Sequence, residues 1–447
     1  MAGIAGVDKI GREKEVRAML DKISHRGGYG EEVKQKRNTT LGIVYPKVQA
    51  DHAERVCKGI VADEAEDGHY AVAKAENGGV TLERDLLGVA PLYYGRGENG
   101  ELYFASEVKA LLGLCGDIRQ VPKGSRFDGQ KTEEYFRVEK NGQLDETADE
   151  IARGLKDKLT GSIKKRIKLG GKVGAWLSGG LDSSALSALA KKYCHELQTF
   201  AAGVKGAPDL EFAREVARFI DSKHHEVIMS FNELLKVLPE VIYHLESFDA
   251  LLIRSTLTNY MVAHKASNHV EAVFSGEGGD ELFAGYEYLK DIGKDKLKEE
   301  LMDITGRLHN TALQRVDRSA SAHGTVAHVG FLDPEVVDYA MKIPVKYKIR
   351  NGVEKWILRK AMEGELPENV LYRKKAKFWK GAGVTELISD YAEKEITDED
   401  FQRERKLKNG WVLNSKEELL YYRYFKEYFG EIENLSWMGR TKEVPEL

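Results

Sequence analysis

Leu177-Ser178-Gly179-Gly180-Leu181-Asp182-Ser183-Ser184 decides how this chain is read. The apolar run 172–177 has the look of a strand that stops abruptly at this stretch. Residues 185–193 have the periodicity of a helix that starts just after it. Strand, glycine-rich loop and helix make a ready oxyanion site, because a helix N-terminus offers unpaired N–H groups and partial positive charge. An ordinary helix cap would account for Ser and Asp. It would not account for Gly-Gly directly after Ser178, which lets the backbone close on a ligand. The stretch is not a Walker loop, since no Gly-Lys-Ser/Thr follows it.

Working outward, strands alternate with helices. A helix is expected over 150–168, strands over 172–177, 198–203 and 224–229, and a helix over 208–219. That alternation implies a parallel sheet with helices on both faces, whose ligands sit at the carboxyl ends of the strands. Ala272-Val273-Phe274 is a further short strand. It runs into Ser275-Gly276-Glu277-Gly278-Gly279-Asp280-Glu281, a second glycine-rich loop with three carboxylates. A solvated acidic turn ahead of a helix would also give that pattern. If both loops lie at one sheet edge, however, Asp182 and Asp280 can converge on one Mg²⁺, a hard cation suited to oxygen ligands and phosphates.

The N-terminal third has a different texture. A helix is expected over 13–23, then short strands over 40–45, 69–73, 79–83 and 101–104, punctuated by Gly and Asn as in a small antiparallel structure. The polar stretch 139–147 marks the boundary between domains 1–143 and 144–447. The fold class is thus α/β, with a small antiparallel β-rich N-terminal domain. A parallel-sheet α/β domain follows it, with a helical C-terminal part.

Composition narrows the function. A formal charge of −4 without a long basic block argues against nucleic acid as the main partner. Cys57, Cys115 and Cys194 are scattered and form no CxxC pair, as expected of a reducing cytoplasm. No apolar run reaches membrane-spanning length, so a soluble cytoplasmic protein with no membrane partner is expected.

The first loop resembles the pyrophosphate loop of ATP pyrophosphatases. The pair of loops, SGGLDSS and SGEGGDELFAGY, resembles the synthetase domain of the asparagine synthetases. Supporting stretches include His224-His225-Glu226, Tyr243-His244-Leu245-Glu246, Asp317-Arg318, Phe331-Leu332-Asp333, Glu354-Lys355-Trp356 and Arg373-Lys374-Lys375. The N-terminal third resembles the family's class II glutaminase domain through Gly3-Ile4-Ala5-Gly6, His25-Arg26-Gly27, 84–94 and 104–112.

The resemblance implies an ATP- and Mg²⁺-dependent carbon–nitrogen ligase acting on a small carboxylate, aspartate or a related acid, and ammonia. It implies a nucleotide site at Trp176, Leu177, Ser178, Gly179, Gly180, Leu181, Asp182, Ser183, Ser184, Ala202, Ser275 and Gly276, with metal at Asp182 and Asp280. Lys375 matches the lysine that neutralises charge as pyrophosphate forms, although a lone lysine in a basic stretch could equally be surface charge. Glu277 matches the glutamate that assists attack of ammonia. The assembly, a homodimer included, is left open.

Two departures stand out. The family's glutaminase nucleophile is a cysteine where this chain has Ala2, and a methyl group cannot attack a carboxamide. The family's glutamine-pocket stretches are missing too, so a degenerate glutaminase domain is expected, with no glutamine hydrolysis. Second, a family acid–Arg pair is replaced by Val326 and His328, and a Pro by Gly330. Either a structural ion pair was lost and the core repacked, or acceptor recognition changed. Two other readings stay open: an intramolecular amide former like β-lactam synthetases or lasso-peptide cyclases, and a non-catalytic regulatory paralogue.

Overall fold

The computed structural model describes residues 1–50, 58, 60–64, 68–136, 142–373 and 385–441. Two antiparallel sheets form the N-terminal part. The first runs in the order β2 (Gly30–Lys36), β3 (Thr39–Tyr45), β1 (Gly3–Val7), β8 (Leu102–Ala105), β7 (Tyr93–Arg96) and β9 (Ile118–Gln120). The second runs β11 (Thr132–Glu134), β10 (Ser125–Phe127), β6 (Gly79–Arg84), β5 (Tyr70–Glu76) and β4 (Ile60–Glu64). Four of these strands were anticipated. β1 and β2 are not among them because neither alternates: every residue of β1 is buried, whereas in charged β2 only Val33 is; β7, β9, β10 and β11 are too short for a period to be read. Gly6 shows how tightly β1 is wedged, since a Cβ there would fall 2.5 Å from the Phe104 ring and 2.6 Å from the Thr40 carbonyl.

The second part is built on a parallel sheet, β14 (Lys223–Met229), β13 (Gln198–Val204), β12 (Val173–Trp176), β15 (Ala272–Phe274) and β16 (Val326–His328). Every neighbouring pair is parallel, with Ala175 opposite both Thr199 and Phe274. All four residues of β12 are buried, as a central strand covered by helices on both faces requires. The helix Ala148–Lys168 leads into it. Thr147 and Glu150 start that helix as a reciprocal capping box, and Lys165, Arg166 and Lys168 suit the dipole in its last turn.

The helix after β12 begins at Leu181, earlier than the 185–193 expected from periodicity. Asp182, Ser183 and Ser184 therefore occupy its first turn instead of a preceding loop. Periodicity missed this turn because Leu-Asp-Ser-Ser is mostly polar, and Gly180 supplies the extended N-cap geometry without a side-chain cap.

The apolar core is continuous across both parts. A buried ionic lattice also joins them. Arg26 donates to Asp317 at 2.8 and 2.9 Å, to Glu107 at 2.8 Å and to the Ala2 carbonyl at 3.1 Å. Arg318 reaches Glu246 at 3.1 Å, and Glu246 accepts from the backbone N–H groups of Val108 and Lys109. Burial alone would raise the Glu107 carboxyl pKa, but the surrounding cations, Arg318 first, hold it well below the usual range. The family-like stretches of the N-terminal third, His25-Arg26 and 104–112, are thus spent on this junction.

Candidate active site

At the carboxyl end of β12 the chain turns through Ser178-Gly179-Gly180. The Ser183 hydroxyl accepts from the Ser178 N–H at 3.1 Å, lies 2.9 Å from the Ser178 hydroxyl and donates to the Gly180 carbonyl at 3.2 Å. Gly179 has φ +72°, and a Cβ there would strike Phe212 at 2.6 Å. Only glycine fits, and the loop stays folded against the helix Pro208–Phe219.

The second loop leaves β15 beside the first. Ser275 N–H donates to the His328 carbonyl at 2.9 Å, so β16 supports the loop's first residue. His328 is buried, its ring 5.7 Å from that of Phe274. The departure at Val326–His328 thus lies in the strand that pairs with the one carrying the second loop. Gly276 and Gly279 press on the first loop: a Cβ on Gly279 would fall 2.5 Å from Asp182 Cγ, and one on Gly276 2.8 Å from Ser183 N. The glycines of one loop make room for the aspartate and serine of the other.

Lys355 joins them. Its Nζ lies 2.5 Å from Asp182 Oδ2 and 2.5 Å from Asp280 Oδ1. Burial pulls its pKa down, but the two carboxylates outweigh that and hold it above the ordinary lysine value. Both aspartates are thus within reach of a single cation. Their hard oxygens in a cradle that a Cβ would fill are a fit donor set for Mg²⁺. Beside them, burial and then the Asp280 charge push Glu281 up to about 7, and Tyr286 donates to it.

These loops line a cleft of about 1890 Å³ that includes Trp176, Ala202, Ser275, Gly276, Glu277 and Lys355. That exceeds the roughly 300–1,000 Å³ of a common small-molecule pocket. Glu277 faces the cleft in an ion pair with Arg315. Arg373 ties the far wall to the first loop: it donates to the Gly179 carbonyl at 3.2 Å, pairs with Asp209 at 2.5 Å and stacks over Phe212. Lys375 follows two residues later and lies outside the described residues. Lys355, Arg315 and Arg373 are site residues that local sequence does not mark. Lys355 and Arg373 stood within quoted motif stretches, but nothing local said which carboxylate each would meet.

The model of the Asparagine synthase family matches residues 154–302 and 292–440, and that of the Glutamine amidotransferase domain matches 58–155. The chain is 35% identical over 385 residues to asparagine synthetase B [glutamine-hydrolyzing] of Escherichia coli, a match spanning 80% of this chain and 69% of that one. The chain belongs to the asparagine synthase family. Asparagine synthetase [glutamine-hydrolyzing] 2 of Lotus japonicus is 32% identical over 78% of this chain and 64% of its own length. Asparagine synthetase [glutamine-hydrolyzing] 2 of Arabidopsis thaliana is 34% identical over 70% and 59%. The chain therefore spans about two thirds of the length of the family members it matches. Among solved structures, the NMN synthetase of Francisella tularensis covers 68% of this chain at TM-score 0.29 and 14% identity, too slight a likeness to bear on the fold. Among the described residues, no helix is long and apolar enough to cross a membrane.

Proposed function

We propose that this chain is an ATP-dependent carbon–nitrogen ligase that forms AMP and pyrophosphate. It activates aspartate or a related small carboxylate and amidates it with ammonia, without hydrolysing glutamine. The observation that carries this reading is the meeting of both glycine-rich loops on Lys355, which gathers Asp182 and Asp280 at one point of the cleft. Family membership supports the ligase chemistry. Ala2, fully buried in the place of a nucleophilic cysteine, supports the absence of glutamine hydrolysis. We place the domain division at 143/144 and the protein in the cytoplasm.

In this reading the backbone of Ser178–Ser184 and its hydroxyls take the polyphosphate, while Trp176, Ala202, Ser275 and Gly276 border the nucleoside. Asp182 and Asp280 would hold Mg²⁺, which supplies charge neutralisation to the phosphates. A carboxylate oxygen of the acceptor bonds to the α-phosphorus. The α–β bridging P–O bond breaks, and pyrophosphate leaves with Lys375 compensating its charge. Nitrogen then bonds to the acyl carbon, the C–O bond to AMP breaks, and Glu277 accepts a proton from the nitrogen. Arg315, paired with Glu277, holds that carboxylate in the cleft. The interlocked Arg26–Asp317 junction gives the N-terminal domain a structural role. The direct test is pyrophosphate release with ATP, aspartate and ammonium, with glutamine as the sole nitrogen source in a parallel reaction. Pyrophosphate and asparagine are expected with ammonium, and no glutamate from glutamine. ADP and orthophosphate as products would overturn the reading.

A further inference from the structure

Lys355 belongs to neither glycine-rich loop, yet its ammonium touches an aspartate of each. The backbone is arranged for this contact. Lys355 has φ +53°, a left-handed conformation disfavoured for a residue with a Cβ, at the N-terminus of the helix Trp356–Ala361. Its N–H donates to the Phe283 carbonyl at 3.2 Å. At Gly285 a Cβ would fall 2.0 Å from Asp280 Oδ1 and 2.1 Å from Lys355 Cε. Glycine at 285 is what lets the lysine reach Asp280. The lysine side chain is only 6% exposed, against 15% and 23% for its two partners.

We propose that Lys355 is the resident counter-cation of the Asp182–Asp280 pair, and that it makes metal binding depend on nucleotide. The proposal rests on the reading that these aspartates hold Mg²⁺. An ammonium and a divalent ion compete for the same two oxygens. Two carboxylate charges are already half met by the lysine, so a dication arriving alone leaves excess positive charge in a partly buried place. A polyphosphate at the neighbouring Ser178–Ser184 loop brings the missing negative charge and offers the displaced ammonium new oxygens. Metal and nucleotide therefore strengthen each other's binding, by the same factor in both directions. Lys355 acts here as a positioning residue. It also keeps two like-charged carboxylates, on separate loops, from pushing those loops apart.

The test is Mn²⁺ binding to the full chain, read by electron paramagnetic resonance, with and without α,β-methylene-ATP. Wild type is expected to bind Mn²⁺ about tenfold or more tightly with the analogue than alone. Lys355→Met is expected to bind Mn²⁺ alone about tenfold more tightly than wild type, with the coupling reduced to match. Lys355→Arg, which keeps the charge, is expected to behave as wild type. A folded Lys355→Met that binds Mn²⁺ alone no better than wild type overturns the proposal. So does a wild type that binds Mn²⁺ equally with and without the analogue, which decides the matter even if Lys355→Met does not fold. If Asp280→Asn retains the full Mn²⁺–analogue complex, the underlying metal reading itself falls, whatever Lys355→Met does.

Discussion

Arg26 and Asp317 meet as a two-pronged ion pair, 2.8 and 2.9 Å, across 291 residues of sequence, with both side chains buried. The arginine comes from the N-terminal part and the aspartate from the helix Ala312–Ser321 that backs the parallel sheet. Replacing Arg26 leaves Asp317 buried with one cation, Arg318 at 3.1 Å, in place of two, and takes a partner from buried Glu107 as well. Arg26→Ala is therefore expected to destabilise the protein by about 3–5 kcal/mol, read as a lowered urea midpoint. A loss under about 1 kcal/mol would show that the junction is not held by this pair.

Asp280→Asn removes half of the carboxylate pair that the loops assemble. Pyrophosphate release is expected to fall about 10²–10³-fold, the usual cost of one well-placed electrostatic group. The melting temperature, measured alongside, should stay near wild type, because Asp280 is partly exposed in the cleft. Unchanged turnover would remove Asp280 from the site.

Glu277 and Lys375 should fail at different steps. Charge moves onto the leaving pyrophosphate during adenylation, which calls for a cation, whereas attack by nitrogen calls for a proton acceptor. Glu277→Gln should still form adenylate, trapped as hydroxamate by hydroxylamine, while amide formation falls about 10²–10⁴-fold. Lys375→Ala should suppress adenylate formation itself. Both variants stopping at the same step would refute this division.

A histidine cluster near the junction gives a pH dependence with a definite sign. His25 and His244 rings meet edge to face at 4.5 Å, and His323 lies 5.1 Å from His264. Burial, then the His25 charge, lowers His244 to about 2, and burial, then the His264 charge, lowers His323 to about 4. Both stay neutral in the folded chain where the unfolded chain takes up protons. Their contribution is fully present above about pH 6.5 and is lost as pH falls through the folded values. At pH 5.5 each should cost at most about 1.4 kcal/mol. Thermal melts from pH 7.5 to 5 should fall, and fall less for the double variant His244→Phe, His323→Leu. Equal slopes would exclude these two groups as the cause.

Ala2→Cys would restore a thiol to the nucleophile's position, but not the rest of a glutamine pocket. Glutamate release from glutamine should remain at the blank level in both wild type and variant. Clear turnover by wild type would mean that the N-terminal domain is an active glutaminase.

Much of the site was legible because its signals are local. Glycines that close a loop after a strand, and an aspartate just inside the following helix, act over a few residues and need no tertiary context. Four of the five parallel strands also read from the sequence, β12, β13 and β15 as short apolar runs bounded by loops; β16 does not, because Val326-Ala327-His328 is too short to carry a pattern. The N-terminal sheets read less well. β1 is buried on both faces and β2 buries only Val33, so neither shows the two-residue alternation that marks a half-buried strand.

What the sequence by itself determined is the parallel-sheet core, the two loops at its edge, the family and the missing nucleophile, all carried by residue type and near-neighbour spacing. Only the tertiary structure decided where the charges go. Lys355 stands 173 residues from Asp182 and Arg26 stands 291 from Asp317. A lysine or arginine has no local pattern that names its partner, because an ion pair is set by which backbones packing brings together and which water it excludes. The same packing turned His25-Arg26 and residues 104–112 into the buried junction between the two parts, and made Gly285 the gap through which Lys355 reaches Asp280.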